Sequence, residues 1–403
     1  MKPTPPNLII LTVFLMPLGV GTQNLSLIFL FVAGLIFYKR KKKALIKEPT
    51  ALILLILCPI IVIISSINDM SFLVENPNVF LALIIPVLLS LDYNLNAHYI
   101  YRILFVFIIS ISLLSLVKTG AFFYTEGLKE LLIHPQKKLA HLLIGYSYLN
   151  LSMYVGTAII FSVYLIAKCN RYKKSILSVN ILFLLFFLIL LSSRVILVAT
   201  LFVSLVMILA YAPKGKRIFV TTIFGVFIFL STLTIYKLDP PIVEKMKEAV
   251  NYKNEYSNIK EKWGGRIMRE EIWSCAITLI KQKPIFGYGY NNVQEELNFC
   301  YENTSEHPVL YRGKSKKNAH NQFFQITLAS GLIGLFAFLF LLSYSIVKSV
   351  IKKDILLFSF ITFAVLCFLS ESHLERNHTI FIFYFFSTIF LIHPTHDIQK
   401  NAL

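Results

Sequence analysis

Apolar residues fill most of this chain in blocks separated by short basic or polar segments, and the block length is the first informative pattern. A helix needs about 20 apolar residues to cross a bilayer core. Twelve blocks approach or reach that length. They predict helices over Leu8–Val20, Leu25–Tyr38, Ala51–Ile67, Val79–Leu91, Tyr99–Val117, Leu151–Ala167, Ile176–Leu191, Val195–Ala212, Ile218–Tyr236, Phe323–Val347, Ile355–Ser370 and Thr379–Ile392. The first and fourth are short for a span. Pro17, Pro59 and Pro86 fall in or near blocks and are expected to kink the helices, because neighbouring helices can satisfy the freed carbonyls.

Two connections are long. Thr119–Asn150 carries aromatic and polar residues with His134 and His141, and 237–322 holds most of the charge outside the apolar blocks. Within the larger one, Asp239-Pro240 reads as an N-cap followed by proline at the first helical position, opening a polar helix to about Tyr256. Gly264-Gly265 then frees the chain to start a second helix that ends near Pro284. Its apolar stripe, Ile267, Ile272, Trp273, Ala276, Ile277, Leu279 and Ile280, opposes Arg266, Arg269, Glu270 and Lys281. Such a helix should lie along the membrane surface or over the mouth of the bundle. A Gly-Tyr-Gly turn at 287–289 leads to a third short helix, with Asn292 and Glu295 at capping-box spacing.

Composition supports the spans. Of 403 residues, 56% are hydrophobic and 15% charged, with mean hydropathy +0.69, a balance that places the chain among all-α polytopic membrane proteins. The first apolar run lacks a small-residue cleavage site and reads as a span, not a signal peptide. A net charge of +18 would suit a nucleic-acid partner were it spread over one face. Alternate connections instead collect it: with the N-terminus inside, the cytoplasmic segments take Lys2, Lys39–Lys43, Lys47, Arg102, Lys168, Arg171, Lys173, Lys174, Lys214, Lys216, Arg217, Lys348, Lys352, Lys353 and Lys400 against four acids. The charge therefore reports topology, with both termini cytoplasmic and 237–322 outside. It does not call for nucleic acid.

Of the five cysteines, Cys58, Cys169 and Cys367 sit in or at the ends of apolar blocks, where a small apolar residue is the ordinary role. No metal-ligand spacing such as C-x-x-C appears. Cys275 and Cys300 share the large connection, where an oxidising compartment would permit a disulfide.

The apolar blocks contain almost no acids or bases. A transporter or lipid-linked glycan flippase would require a polar pathway near the midplane, so the pattern favours an enzyme working at the interface. Arg194, between two blocks, reads either as a snorkelling cation or as a guanidinium that grips phosphate through paired hydrogen bonds. Arg266 and Arg269 allow the same two readings on an amphipathic helix. His320, just before a block, is an interfacial imidazole or a base. Glu371, His373, Glu375, Arg376 and His378 crowd one short connection; they suit the lining of a site entrance or contacts to acceptor phosphates and sugars better than a metal. A serine hydrolase reading of His320 lacks a G-x-S-x-G elbow.

The order R-x6-W-x2-A-x3-I-x3-P-x2-G-x-G from Arg266, then A-H-N-x-F-x-Q-x5-G-x2-G-L from Ala319, with S-R-V at Ser193–Val195, resembles the O-antigen ligase and O-antigen polymerase superfamily. The motifs cover 263–342, about a fifth of the chain, and the twelve-span layout with a late large loop is similar too. The resemblance implies one integral membrane domain over 1–403, in a bacterial inner membrane, with 237–322 periplasmic. It implies glycan transfer from undecaprenyl diphosphate to an acceptor hydroxyl such as the lipid A core, without cofactor or metal. His320 would match the essential histidine, Arg194 and Arg266, with Arg269 beside them, the diphosphate-binding arginines, and Asn321 and Gln325 supporting polar groups. Gly331 and Gly334 would allow close helix packing. The insert Glu302–Lys317 has no counterpart in the pattern. A polysaccharide polymerase is the alternative, since the two share motif and chemistry.

Overall fold

The computed structural model describes residues 5–40, 48–66, 78–91, 95–133, 147–212, 265–305 and 317–393, with a few isolated positions between them. These form α1 (Pro5–Leu15), α2 (Val20–Arg40), α3 (Pro49–Ser65), α4 (Asn78–Leu89), α5 (Ala97–Ile133), α6 (Tyr148–Ile166), α7 (Arg171–Leu190), α8 (Arg194–Tyr211), α9 (Gly265–Gln282), α10 (Val293–Thr304), α11 (Gln322–Ile351), α12 (Ile355–Phe368) and α13 (Asn377–Ile392). Short 3-10 turns lie at Met16–Leu18 and His373–Glu375. Among the described residues there is no strand, only an isolated bridge between Ile46 and Leu91.

Eleven of the twelve apolar blocks are thus helical, as their hydropathy requires. Five helices, α5 to Gly127, α6, α7, α8 and α11, are long and apolar enough to cross a membrane, and six more are shorter and apolar. The ninth block, the Asp239–Tyr256 helix, His134, His141 and most of the insert at 306–316 lie outside the described residues.

Three expectations need correction. The fifth helix does not stop at Val117 but runs to Ile133 through a non-helical Gly127, so the first half of the 119–150 connection is helix. Pro17 does not kink a continuing helix: it sits in a 3-10 turn followed by Gly19 at φ 144°, and α1 and α2 fold back as a hairpin. Thr12 and Ser26 clasp that hairpin, each hydroxyl donating to the other's carbonyl at 3.2 Å. Asn292 is an N-cap by position only; its side-chain amide donates back to the Tyr288 carbonyl (2.9 Å). Pro59 and Pro86, by contrast, lie inside continuous helices and do not end them.

The centre of the bundle is α6, buried over nearly its whole length. Phe161 packs edge-on against Phe386 of α13 (4.8 Å between centroids) and Phe390, and lies 6.2 Å from Phe360 of α12. Gly156 lets α8 and α12 close in on the same point, since a Cβ there would stand 2.6 Å from Thr200 Oγ1 and 2.7 Å from Phe363 Cζ. The outward faces of α7 and α8, with Val179 and Val198, are exposed and apolar, as faces turned to lipid tails should be.

Candidate functional site

The site begins with a broken helix. α11 changes direction at Gly331 (φ 66°), which separates a two-turn segment from the long apolar one. A break of this kind frees carbonyls that the helix no longer uses, and the Gly-Tyr-Gly segment takes them: Tyr288 N–H donates to Leu328 O (2.7 Å) and Gly289 N–H to Ala329 O (3.0 Å). In return Leu332 N–H donates to Pro284 O (2.8 Å). A Cβ on Gly331 would stand 2.0 Å from Ile285 O, and one on Gly287 2.5 Å from Leu328 O. Gly331 therefore admits a crossing loop, not the neighbouring helix anticipated from sequence. A Cβ on Gly334 would meet Ser330 of its own helix.

This dock fixes the N-terminus of α11, and the residues before it form a tight platform. Asn321 caps the helix, its Oδ1 accepting from Phe323 N–H (2.9 Å) and Phe324 N–H (3.2 Å), while its amide donates to Leu369 O (3.2 Å). Gln325 reaches back so that its Oε1 accepts from Ala319 N–H (3.0 Å), and Trp273 Nε1 on α9 donates to Ala319 O (3.1 Å). Gln322 Oε1 accepts from Leu374 N–H (2.6 Å), which ties the platform to the 371–376 connection. Between these anchors His320 is held at φ 46°, a left-handed conformation that a histidine adopts only when its surroundings impose it. Its N–H donates to Asn318 Oδ1 (3.1 Å). The two supporting residues inferred from sequence, Asn321 and Gln325, thus act on backbone either side of His320.

His320 Nδ1 stands 2.8 Å from Glu371 Oε2. An ionised carboxylate only accepts, so Nδ1 donates to it, and the tautomer this favours leaves the lone pair on Nε2. Nε2 is buried and meets no partner among the described residues. The other Glu371 oxygen accepts from Arg269 Nη2 (3.0 Å). Burial would raise the Glu371 carboxyl, but the His320 hydrogen bond and the charges of His320, Arg269 and His373 outweigh it and hold the group below the ordinary carboxylate value. Glu371 is the residue sequence reasoning missed as a partner. The signal was its place, three residues past α12 in a cluster of ionisable groups that was read only as an entrance or ligand set.

Arg269 is placed against Glu371 and remains about one-third exposed. Arg194, first residue of α8, lies two residues after Ser192, which is left-handed at φ 52°. The charges of Glu371, Arg269 and Arg194 all act on Tyr148 at the start of α6, so Arg194 belongs to the same end of the bundle. Arg266 lies in the first turn of α9, and its side chain is outside the described residues.

Of the neighbouring groups, His373 is buried and Glu375 half-buried. His373 is pushed down to about 4 by burial, against the pull of Glu371. Glu375 is pushed up to about 7, burial outweighing the hydrogen bond from Tyr290 (2.6 Å) and the charge of Arg376. Among the described residues no group of three or more His, Cys, Asp and Glu is arranged to hold a metal ion. Cys275 on α9 and Cys300 on α10 form a disulfide, Cα atoms 5.8 Å apart, inside a small apolar core of Ile272, Ala276, Leu279, Val293, Leu297 and Tyr301. That core carries Trp273 and Arg269.

An imidazole oriented by a carboxylate that also pairs with Arg269, with Arg194 at the same end of the bundle, suits removal of a proton near an anionic group. Residues 179–339 match the family model described as O-antigen ligase. The match supports an O-antigen ligase-like family. It covers α8, α9, α10 and the His320 platform, while Glu371 lies beyond it; with the membrane-length helices it supports a multi-pass membrane protein of a glycan-transferring, ligase- or polymerase-type family. No curated protein matches the chain.

Proposed function

We propose that this O-antigen ligase-like chain transfers a glycan from undecaprenyl diphosphate to an acceptor hydroxyl, in the ligase case one of the lipid A core, with inversion at the anomeric carbon. The observation that carries the reading is His320: strained, hydrogen-bonded through Nδ1 to Glu371, and presenting a buried Nε2 with no partner among the described residues. In the proposed step Nε2 takes the acceptor's proton as its oxygen attacks C1 of the donor sugar. The C1–O bond to phosphate breaks, and its electron pair leaves on undecaprenyl diphosphate. Glu371 stabilises the imidazolium and fixes its tautomer. Arg194 and Arg266 neutralise the departing diphosphate, and Arg269 holds Glu371 while lending its charge to the site. Charge neutralisation by arginine makes a divalent ion unnecessary.

The proposed layout is one integral membrane domain over 1–403 with about twelve spans, both termini cytoplasmic, 237–322 periplasmic, and the motif region at 263–342. The alternating basic connections support it, as does the Cys275–Cys300 disulfide, which an oxidising compartment favours. Ligase is favoured over polymerase because helix α5 absorbs part of the 119–150 connection and leaves one dominant loop.

The test is turnover of undecaprenyl-diphosphate-linked glycan by purified protein. His320→Ala should lower it roughly 10²–10⁴-fold with the protein still folded, and excess EDTA should leave wild-type turnover unchanged. Wild-type turnover in His320→Ala would return the residue to a structural role, and an EDTA loss restored by magnesium would redirect attention to Glu371 and its neighbours. A deletion strain separates ligase from polymerase. Core capped by a single repeat marks a missing polymerase, and full-length polymer stranded on the carrier lipid marks a missing ligase.

A further inference from the structure

Three helices meet at Gly156, and their register predicts what stands above it. α6 and α8 run parallel, because two tight turns around α7 reverse the chain twice; Gly156 meets Thr200 at mid-depth and Tyr164 lies 6.3 Å from Tyr211 at the far end. α12 runs antiparallel to α6, since Phe161 pairs with Phe360 while Gly156 meets Phe363. Eight residues from Gly156 toward the His320 end is a rise of about 12 Å. On α6 that rise reaches Tyr148. It brings α8 back to its first residues, Ser193 and Arg194, and carries α12 past its end to Glu371. The electrostatics agree, as Glu371, Arg269 and Arg194 are the three charges felt at the Tyr148 phenol.

Other tyrosines at this end have committed hydroxyls. Tyr290 donates to Glu375, Tyr288 to the Leu279 carbonyl, Tyr301 to the Lys317 carbonyl and Tyr154 to the His378 carbonyl. The ring of Tyr148 rests half-buried on the bundle core, yet its side chain engages no hydrogen-bond partner among the described residues. A half-buried phenol at the level of Arg194 and Glu371, within electrostatic reach of both and of Arg269, is a donor available to an anion.

We propose that Tyr148 is a further substrate contact, its hydroxyl donating a hydrogen bond to the diphosphate oxygen that departs with the electrons of the broken C1–O bond, next to Arg194. The inference rests on the donor reading given above. Tyr148 keeps its proton throughout, and the acceptor's proton goes to His320. The hydroxyl would add a neutral donor where the arginines supply charge, and it would tighten as negative charge builds on the leaving oxygen.

The experiment is equilibrium binding of labelled undecaprenyl diphosphate to purified full-length protein, with undecaprenol as the uncharged control, followed by turnover. Tyr148→Phe, which keeps the ring on the core, should weaken diphosphate binding about tenfold, leave undecaprenol binding unchanged and lower kcat by about tenfold or more. His320→Ala should bind the diphosphate normally, so the binding arm does not depend on catalysis. Wild-type affinity and kcat in Tyr148→Phe would overturn the Tyr148 contact while leaving the donor reading intact. Failure of the wild-type protein to prefer the diphosphate over undecaprenol would overturn both. Equal loss of undecaprenol and diphosphate binding would show a packing role and also overturn the contact.

Discussion

The aromatic centre of the bundle and the His320 platform are built on opposite principles. Around α6, Phe161, Phe360, Phe386 and Phe390 each touch several others, so burial is shared and non-directional. On the platform each polar contact is single and directional: one glutamine for the Ala319 N–H, one indole for its carbonyl, one carboxylate for His320. Shared burial tolerates imperfect substitution by repacking, whereas a lone hydrogen bond to a strained loop has no substitute. Stability should therefore reside in the first region and activity in the second, and substitutions can separate them.

Gly331→Ala should have the largest effect because it strikes the joint between the two. The new Cβ would meet the Ile285 carbonyl at 2.0 Å in a left-handed conformation, so either the 284–289 dock or the break in α11 must give way. A loss of more than about 4 kcal/mol is expected, read as failure to recover folded protein by size-exclusion chromatography. Glu371→Gln comes next. It preserves shape but removes the charge that orients His320 and pairs with Arg269, and a charge-assisted hydrogen bond of about 1.5–3 kcal/mol corresponds to a fall in kcat of about ten- to a hundredfold. Initial rates at saturating donor would show it.

A smaller, paired test addresses the comparison itself. Trp273→Phe keeps an aromatic ring against Phe324 but removes the donor to Ala319 O. It should cost about 1 kcal/mol at the platform, a several-fold loss of kcat with an unchanged melting midpoint. Phe161→Leu should do the reverse, lowering the midpoint by leaving a partial cavity while turnover per folded molecule holds. Matching effects of the two variants on activity would break the division.

The sequence made the bundle legible because hydropathy in blocks has one physical solution in a bilayer, and all of the apolar blocks inside the described residues are helices. Helix ends were less legible: nothing in the Lys118–Ile133 stretch signals that helix continues to Gly127 and resumes beyond its break, because its polarity resembles that of a loop. At the site, His320, Asn321 and Gln325 stood out as a motif, yet their roles did not. That Gln325 serves the backbone of Ala319, and that Gly331 serves the 284–289 loop, are long-range hydrogen bonds that no local periodicity records. Glu371 was hidden for the same reason, since its partners lie 51 and 102 residues away.

The smallest expected effect is on pH dependence, and it is small because a buried histidine and a half-buried glutamate oppose each other. Glu375, at about 7 in the folded protein and near 4.5 when unfolded, favours folding when protonated; its contribution is full below the unfolded value and is lost as pH rises toward 7. His373, at about 4 folded and near 6.5 unfolded, is buried neutral, so the unfolded chain binds the extra proton and stability rises with pH between those values. Across about pH 4.5 to 6.5 the slopes have opposite signs and each is at most about 1.4 kcal/mol per pH unit. Glu371, held below its ordinary value, loses its contribution only at more acid pH. The melting midpoint of the wild-type protein in detergent should therefore be nearly flat from pH 5 to 6.5. Glu375→Gln should leave a midpoint that rises with pH over that window, and His373→Gln one that falls. Parallel slopes in the two variants would show that His373 and Glu375 do not oppose each other in this way.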